Sequence, residues 1–288
     1  MSEQATVGAT WLGARRALLE HSNTPGLDAQ LLLCEVMNRD RAWLLTHPEA
    51  PLETDQLNAF CDSLRRCLAG EALPYVLGWW EFYGRRFEIQ PHVLIPRPET
   101  ELLVEHALSY LEANTQRDLV LDVGTGSGCI AITLAIEMPQ LQVVATDLDR
   151  SVLQIASKNA VRHGVGDRIR FIQGDLASAL AGPYDLICTN LPYIPSARLS
   201  ELVVGRREPQ VALDGGPDGL VWIRSLLEEL PRLLEPGGKA LFEIDEDQRD
   251  AVLADAAGSL LDARVQVCKD LAGKDRLLII DRQYEEGS

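Results

Sequence analysis

Asn190, Leu191, Pro192 and Tyr193 follow directly on an apolar run, "YDLICT", that reads as a buried strand. Ending a strand on an amide, a proline and a phenol has a chemical use. Pro192 disfavours helical angles at Leu191, which holds the Leu191 carbonyl in a fixed direction. The side-chain oxygen of Asn190 can point the same way, so that two acceptors converge on one planar NH2 group. Tyr193 adds a flat face for that group to stack on. The arrangement suits a primary amide or an aromatic amine, whose delocalised lone pair makes it a weak nucleophile. Hydrogen bonds from its N–H groups to fixed acceptors orient the nitrogen, raise its electron density and stabilise the positive charge that develops in transfer. No general base is required. His92, His106 and His163 fall on a loop or on helices and read as surface or satisfied histidines. Taken alone, the four residues also read as an ordinary strand-ending turn, where Asn and Pro are common.

A second group precedes it. "VLDVGTGSGCIAITLA" sets Gly124, Thr125, Gly126, Ser127 and Gly128 between a strand and a helix. Glycines there allow a tight turn and a close approach to a ligand at a helix N-terminus. The spacing is GxGxG rather than the GxGxxG of a dinucleotide site. Asp147, nineteen residues after Gly128, ends the next strand, where an acid grips a ribose diol; Asp149 reads instead as the cap of a helix beginning near Ser151. A third strand ends before Asp175 and Leu176, which could meet an adenine or form a plain solvated turn. The set fits a nucleoside without a pyrophosphate, hence S-adenosylmethionine more than NAD. No metal is expected.

The elements that must position these groups are legible in the patterning. Residues 1 to about 75 read as helical: in "ETDQLNAFCDSLRRCLAG", Leu57, Phe60, Cys61, Leu64, Cys67 and Leu68 recur at three- and four-residue steps. "WWEFYGRRFEIQ" reads as a hairpin around Gly84. From residue 118 onward, "LVLDV", "LQVVATD", "RIRFIQ", "YDLICTN", "KALFEI" and "RLLIID" alternate with amphipathic stretches, which implies an α/β fold with a mostly parallel sheet covered on both faces. The strand candidates 263–268 and 276–281 are joined by a short turn, so one of them is expected to run antiparallel.

With 288 residues the chain can bury a large core. Its 27 Lys+Arg against 43 Asp+Glu, a formal charge of -16, argue against a direct nucleic-acid partner and favour a basic protein surface or a small cation. The six cysteines contain no CxxC pair and read as small buried thiols in a reducing compartment. "MSEQATVGAT" has neither the basic start nor the apolar stretch of a signal peptide, and no apolar run is long enough to span a membrane. A cytoplasmic monomer is expected.

Together "DVGTGSG", "ATDLD" and "NLPYIP" resemble the motifs of S-adenosylmethionine-dependent methyltransferases that carry Asn-Pro-Pro-Tyr. "LPYVLGWWEFYG", "VLIPRPETELLVE", "EPQVALDGGPDGL" and "KDLAGKDR" narrow the resemblance to the HemK/PrmC family, the glutamine N5-methyltransferases of peptide chain release factors. The resemblance implies a Rossmann-like class I methyltransferase with a seven-stranded sheet and a small N-terminal helical bundle: a substrate-recognition domain over 1–76, a β-hairpin linker over 77–96 and a catalytic domain over 97–288. It further implies S-adenosyl-L-methionine as cofactor and S-adenosyl-L-homocysteine as product. Gly124 to Gly128, Asp147, Asp175, Leu176 and Asn190 would hold the cofactor, and Asn190 to Tyr193 the glutamine of a Gly-Gly-Gln loop. Leu191 replaces the family's first proline, and Leu176 stands where an aromatic residue is common, so adenine contact there is expected to differ. Without the resemblance, "EPQVALDGGPDGL" reads as a mobile loop ending in a helix with Asp218 in its first turn, or as a loop that folds over substrate, and "IPRPETE" as a delayed helix start, with a cofactor-facing role for Arg97 to Thr100 as the alternative. The competing readings are a ribosomal-protein glutamine methyltransferase, a DNA adenine-N6 methyltransferase, and a release-factor-binding module that has lost catalysis.

Overall fold

In the computed structural model, which describes residues 5–284, the chain divides after Trp79 into two units with separate buried cores. The first is all helical: Val7–Ala17, Pro25–Met37, Arg41–Thr46, Thr54–Leu68 and Leu73–Leu77. Local chemistry sets these boundaries. Thr6 accepts from the Ala9 amide, Pro25 opens its helix at the first turn, Asp40 accepts from the Trp43 amide at 2.7 Å, and Gln56 reaches back to the Glu53 amide at 3.0 Å. Leu18, Leu32, Leu33 and Phe60, drawn from the apolar stripes, close the core.

A hairpin follows, β1 (Trp79–Phe82) and β2 (Arg85–Glu88), all but its first residue in the second unit. Tyr83 and Gly84 both adopt positive φ, +51° and +68°, the two-residue turn whose twist matches paired strands. The sheet that follows contains β3 (Leu119–Val123), β4 (Gln142–Asp147), β5 (Ile169–Gln173), β6 (Tyr184–Thr189), β7 (Leu234–Glu243), β8 (Ala263–Lys269) and β9 (Asp275–Arg282) in the order β5-β4-β3-β6-β7-β9-β8. β9 runs antiparallel to β7 and β8, and the other pairings flanking β3 are parallel.

Side chains alternate across the sheet as the period of two demands. Val120, Val143, Leu186, Leu241 and Ile279 enter one apolar cluster with the helices Glu101–Ala113 and Cys129–Glu137. Leu121, Ile187, Ala240, Phe242 and Ile280 enter the other with Val221–Leu233 and Arg249–Ser259. With both faces covered, ligand access is confined to the carboxyl ends of the strands and to the reversal of strand order beside β3.

The reading of the cysteines needs correction. Cys67, Cys129 and Cys188 are buried, but Cys61 is exposed and Cys34 and Cys268 are half-buried; all six are free thiols. Asp218 lies just before its helix rather than in the first turn, and it accepts from the Leu220 amide at 3.2 Å. Among the described residues no helix is long and apolar enough to cross a membrane, and no group of side chains has the makings of a metal site.

Candidate functional site

Strand register brings the sequence-predicted residues to one edge. Val123 pairs with Thr146 on one side and Thr189 on the other, and Thr189 pairs with Phe242. The residues just beyond, the glycine loop, Asp147, Asn190 and Glu243, therefore emerge side by side. The amides of Gly124 and Thr125 both donate to the Thr146 carbonyl, at 2.9 and 2.8 Å, and the Gly126 amide donates to Asp147 Oδ2 at 3.0 Å. Asp147 Oδ1 accepts from the Asp149 amide at 3.1 Å. Burial raises the Asp147 carboxyl above its ordinary range against these two hydrogen bonds. Asp149 caps Arg150–Arg162 through the Ser151 amide at 2.7 Å, as its sequence position suggests.

The glycines of the loop face different surroundings. A side chain at Gly128 would meet Ile132 Cδ1 at 2.7 Å and Ala156 Cβ at 3.3 Å, and one at Gly124 would meet Leu191 Cδ2 at 3.3 Å. At Gly126 nothing lies within 4 Å, so this glycine alone of the three looks into open space. Beneath the loop, Asp122 is fully buried; its Oδ2 accepts from Thr125 Oγ1 at 2.6 Å and from the Ala131 amide at 3.3 Å, while Oδ1 has no partner. Burial pushes this carboxyl up to about 7. Ser127 is buried with its hydroxyl unpartnered, and its carbonyl accepts from Asn159 Nδ2 at 2.9 Å. The same Asn159 amide is bonded to both the N–H and the carbonyl of Glu88, which fastens β2 to the loop.

Asn190 donates from Nδ2 to Thr100 Oγ1 at 3.1 Å. Thr100 donates to Glu243 Oε2 at 2.6 Å, and Tyr193 donates its hydroxyl to Glu243 Oε1 at 3.1 Å. Glu243 and Thr100 are each 2% exposed. Burial raises the Glu243 carboxyl, the Thr100 and Tyr193 hydrogen bonds and the Arg276 charge opposing it, and burial lifts the Tyr193 phenol far above its usual range. Leu191 is buried, with its side chain against Gly124 and in the second apolar cluster. Among the described residues none donates to Asn190 Oδ1 or to the Leu191 carbonyl.

The segment after Tyr193 is held by hydrogen bonds from several elements. Ile194 and Leu213 to Gly215 exchange backbone hydrogen bonds at 3.0 and 2.9 Å, and Asp214 accepts from Ser196 Oγ at 2.6 Å and the Gly216 amide at 2.9 Å. Gln248 donates to the carbonyls of Tyr193 and Gly219. Arg97 pairs with Glu208 at 2.5 Å, and the other Glu208 oxygen accepts from the Ile95 amide at 3.1 Å. The two motifs "IPRPETE" and "EPQVALDGG" are thus locked to each other.

Asp175 and Leu176 stand apart from this network. Asp175 is exposed, with its carbonyl accepting from Ser178, and Leu176 packs on the apolar cluster at φ +50°. His163 bonds to the Arg86 carbonyl at 2.9 Å, whereas His92 Nε2 is buried without a partner, contrary to the reading of a surface or satisfied ring. Thr100 lies in the stretch Arg97 to Thr100 that the sequence offered for a cofactor-facing role, and the structure bonds it to Asn190 and Glu243. Glu243 escaped the sequence reading. The one available signal was a Glu inside the apolar strand "KALFEI", since a fully buried Glu needs partners.

Compared with known proteins, residues 11–78 match the PrmC N-terminal domain family and residues 98–206 the methyltransferase small domain family. A methyltransferase structure from Pyrococcus furiosus aligns with 80% of this chain and 100% of its own at a TM-score of 0.51 and 18% identity, a likeness of fold. The release factor glutamine methyltransferase of Chlorobaculum tepidum is 41% identical over 88% of both chains. Those of Moorella thermoacetica and Bordetella pertussis are 40% and 41% identical, over 91% and 90% of this chain and 93% and 96% of theirs. Similarity at this level along nearly the whole length places the chain in the release factor glutamine methyltransferase family.

Proposed function

We propose that this protein transfers a methyl group from S-adenosyl-L-methionine to the side-chain amide nitrogen of the glutamine in the Gly-Gly-Gln loop of peptide chain release factors. The observation that carries the reading is the held amide of Asn190. With Nδ2 engaged by Thr100, its Oδ1 is the end left to accept, and the next residue in the chain, Leu191, offers a carbonyl to which no described residue donates. A primary amide bound there finds two acceptors for its two N–H groups, with the half-buried Tyr193 ring alongside.

The residues present fit the cofactor. Open space over Gly126 admits a ligand, and each Asp147 oxygen, bonded to one amide, retains a lone pair for a ribose hydroxyl. Gly124 to Gly128 and Asp147 would hold the nucleoside, Asp175 and Leu176 its base, and Asn190 the end nearest the reaction. When bound, S-adenosyl-L-methionine supplies a methyl group on a sulfonium, which leaves with the bonding electron pair staying on sulfur. The chain's own part is to orient the amide nitrogen and to stabilise the charge it acquires. Orientation of this kind is worth roughly 7–11 kcal/mol, and no residue needs to act as a base before the nitrogen sheds its proton to solvent. Leu191 performs its part through the backbone, so a leucine in place of proline is compatible with activity. The helical unit serves release-factor recognition.

The test is incubation of the protein with labelled S-adenosyl-L-methionine and an unmodified release factor, followed by peptide mass spectrometry. One added methyl on the Gly-Gly-Gln glutamine is expected. Its absence, with cofactor still bound, would overturn the reading in favour of a ribosomal-protein substrate or an inactive binding module.

A further inference from the structure

Asn190 is useful only if its amide is the right way round, and nothing in its own residue type decides that. The decision comes from 143 residues away from Thr100, at the end of β7. Thr100 Oγ1 lies 2.6 Å from Glu243 Oε2 and 3.1 Å from Asn190 Nδ2. A hydroxyl has one proton to give, and a carboxylate has none. The Thr100 proton therefore goes to Glu243, its lone pair faces Asn190, and Asn190 must answer with its NH2 end. The second Glu243 oxygen accepts from Tyr193, whose phenol burial keeps protonated. One carboxylate thus terminates two hydrogen-bond chains that begin at Asn190 and Tyr193.

Among the described residues, none forms an ion pair with Glu243. The charges of Arg276 and Arg97 face the Glu243–Tyr193 pair and Glu99 opposes them, but Arg276 directs its hydrogen bonds to Asp270 and the Ile244 carbonyl, and Arg97 directs its own to Glu208. A carboxylate buried on hydroxyl donors alone is costly to fold. A polar role at the site accounts for that cost where packing alone does not.

We propose that Glu243 is a positioning residue for methyl transfer: by accepting from Thr100 it locks the Asn190 amide with Oδ1 toward the substrate nitrogen, and by accepting from Tyr193 it holds the neighbouring ring. The inference rests on the amide-methylation reading above. Were the Asn190 amide reversed, its NH2 would meet the substrate NH2, donor against donor. One of the two contacts that activate the nitrogen would be lost, a change on the order of a hundredfold in turnover.

The test uses the full chain with a release factor and compares Thr100→Val, Thr100→Ser and Glu243→Gln with the unaltered protein, reading kcat, cofactor Kd and the pH profile. Thr100→Val is the same shape without a hydroxyl, and kcat should fall on the order of a hundredfold with cofactor Kd within several-fold of the original. Thr100→Ser restores the hydroxyl and should restore most of kcat. In the unaltered protein kcat should drop on the acid side as Glu243 takes a proton that competes for Thr100, and Glu243→Gln, lowered throughout, should lack that acid limb. If Thr100→Val and Glu243→Gln turn over at the original rate, or if Thr100→Ser is as impaired as Thr100→Val, Glu243 does not position Asn190. If the unaltered protein places no methyl on the Gly-Gly-Gln glutamine, the functional reading fails and this inference falls with it.

Discussion

At the scale of single residues, chemistry and folding pull against each other in this site. Asn190 shows the chemical side: Thr100 holds its Nδ2, and under the proposed function its Oδ1 is the acceptor for the substrate amide. Replacing it by alanine should lower methyl transfer by roughly a hundredfold or more, the value of one preorganised polar contact, while much of the cofactor binding is retained; near-normal turnover in a steady-state assay would contradict the mechanism. Asp122 shows the folding side. Its carboxyl is fully buried, one oxygen has no partner, and it is pushed from 3.8 up to about 7. Because the native state holds this proton to higher pH than the unfolded chain does, stability is greatest below about pH 4 as far as this group is concerned, and it declines as pH rises toward 7. The full difference is about 4 kcal/mol. Asp122→Asn has no proton to lose, so its stability relative to the original should improve by a few kcal/mol between pH 5 and pH 8, as read from denaturant unfolding at both. An unchanged difference would mean that Asp122 is already ionised at pH 5.

At the scale of elements, the glycine loop separates two functions that its sequence merges. Gly128 sits over Ile132 and Ala156 at φ +83°, whereas Gly126, at φ +57°, faces open space. Gly128→Ala adds left-handed strain to a collision and should cost about 2–3 kcal/mol of stability. Gly126→Ala carries the strain alone but extends into the space assigned to the cofactor, so it should weaken S-adenosyl-L-methionine binding by roughly tenfold or more, one lost contact in RT terms. Melting and calorimetric titration of both variants check this, and equal effects on both readouts would show that the loop does not divide in this way. The elements themselves were legible because each follows a local rule: the three- and four-residue stripe of Thr54–Leu68, the turn residues at Tyr83 and Gly84, and the strand alternation that sorts Val120 from Leu121. Asp149 was equally legible as a cap, since a cap bonds to its own near neighbours. The link from Asn190 through Thr100 to Glu243 was not. It joins residues on three separate elements: strand register, which aligns Thr189 with Phe242, sets Asn190 beside Glu243, and the turn Pro98–Thr100 supplies the hydroxyl between them. The anchors of "EPQVALDGGPDGL" were illegible for the same reason: its polar and glycine content names no partner, and Arg97, Ser196 and Gln248, which hydrogen-bond to it, are supplied from elsewhere.

At the scale of the whole molecule, the division after Trp79 leaves the candidate site wholly within the second unit. Both apolar clusters that flank the large sheet draw every member from Phe82 onward, and the glycine loop, Asp147, Asn190, Tyr193, Thr100 and Glu243 are all on that side too. The helical unit keeps its own buried set, Leu18, Leu32, Leu33 and Phe60 among them. Since a domain with a complete core can fold alone, a chain beginning at Trp80 should melt cooperatively and bind S-adenosyl-L-methionine within several-fold of the full protein. Its turnover of a release factor should be another matter. If the helical unit recognises the substrate, kcat/KM for the release factor should fall by tenfold or more, which is at least 1.4 kcal/mol of lost recognition. Cofactor titration and initial-rate assays on the two chains separate these effects. Loss of cofactor binding in the shorter chain would mean that the second unit depends on the first for its fold, and an unchanged kcat/KM would mean that substrate recognition lies wholly within the methyltransferase unit.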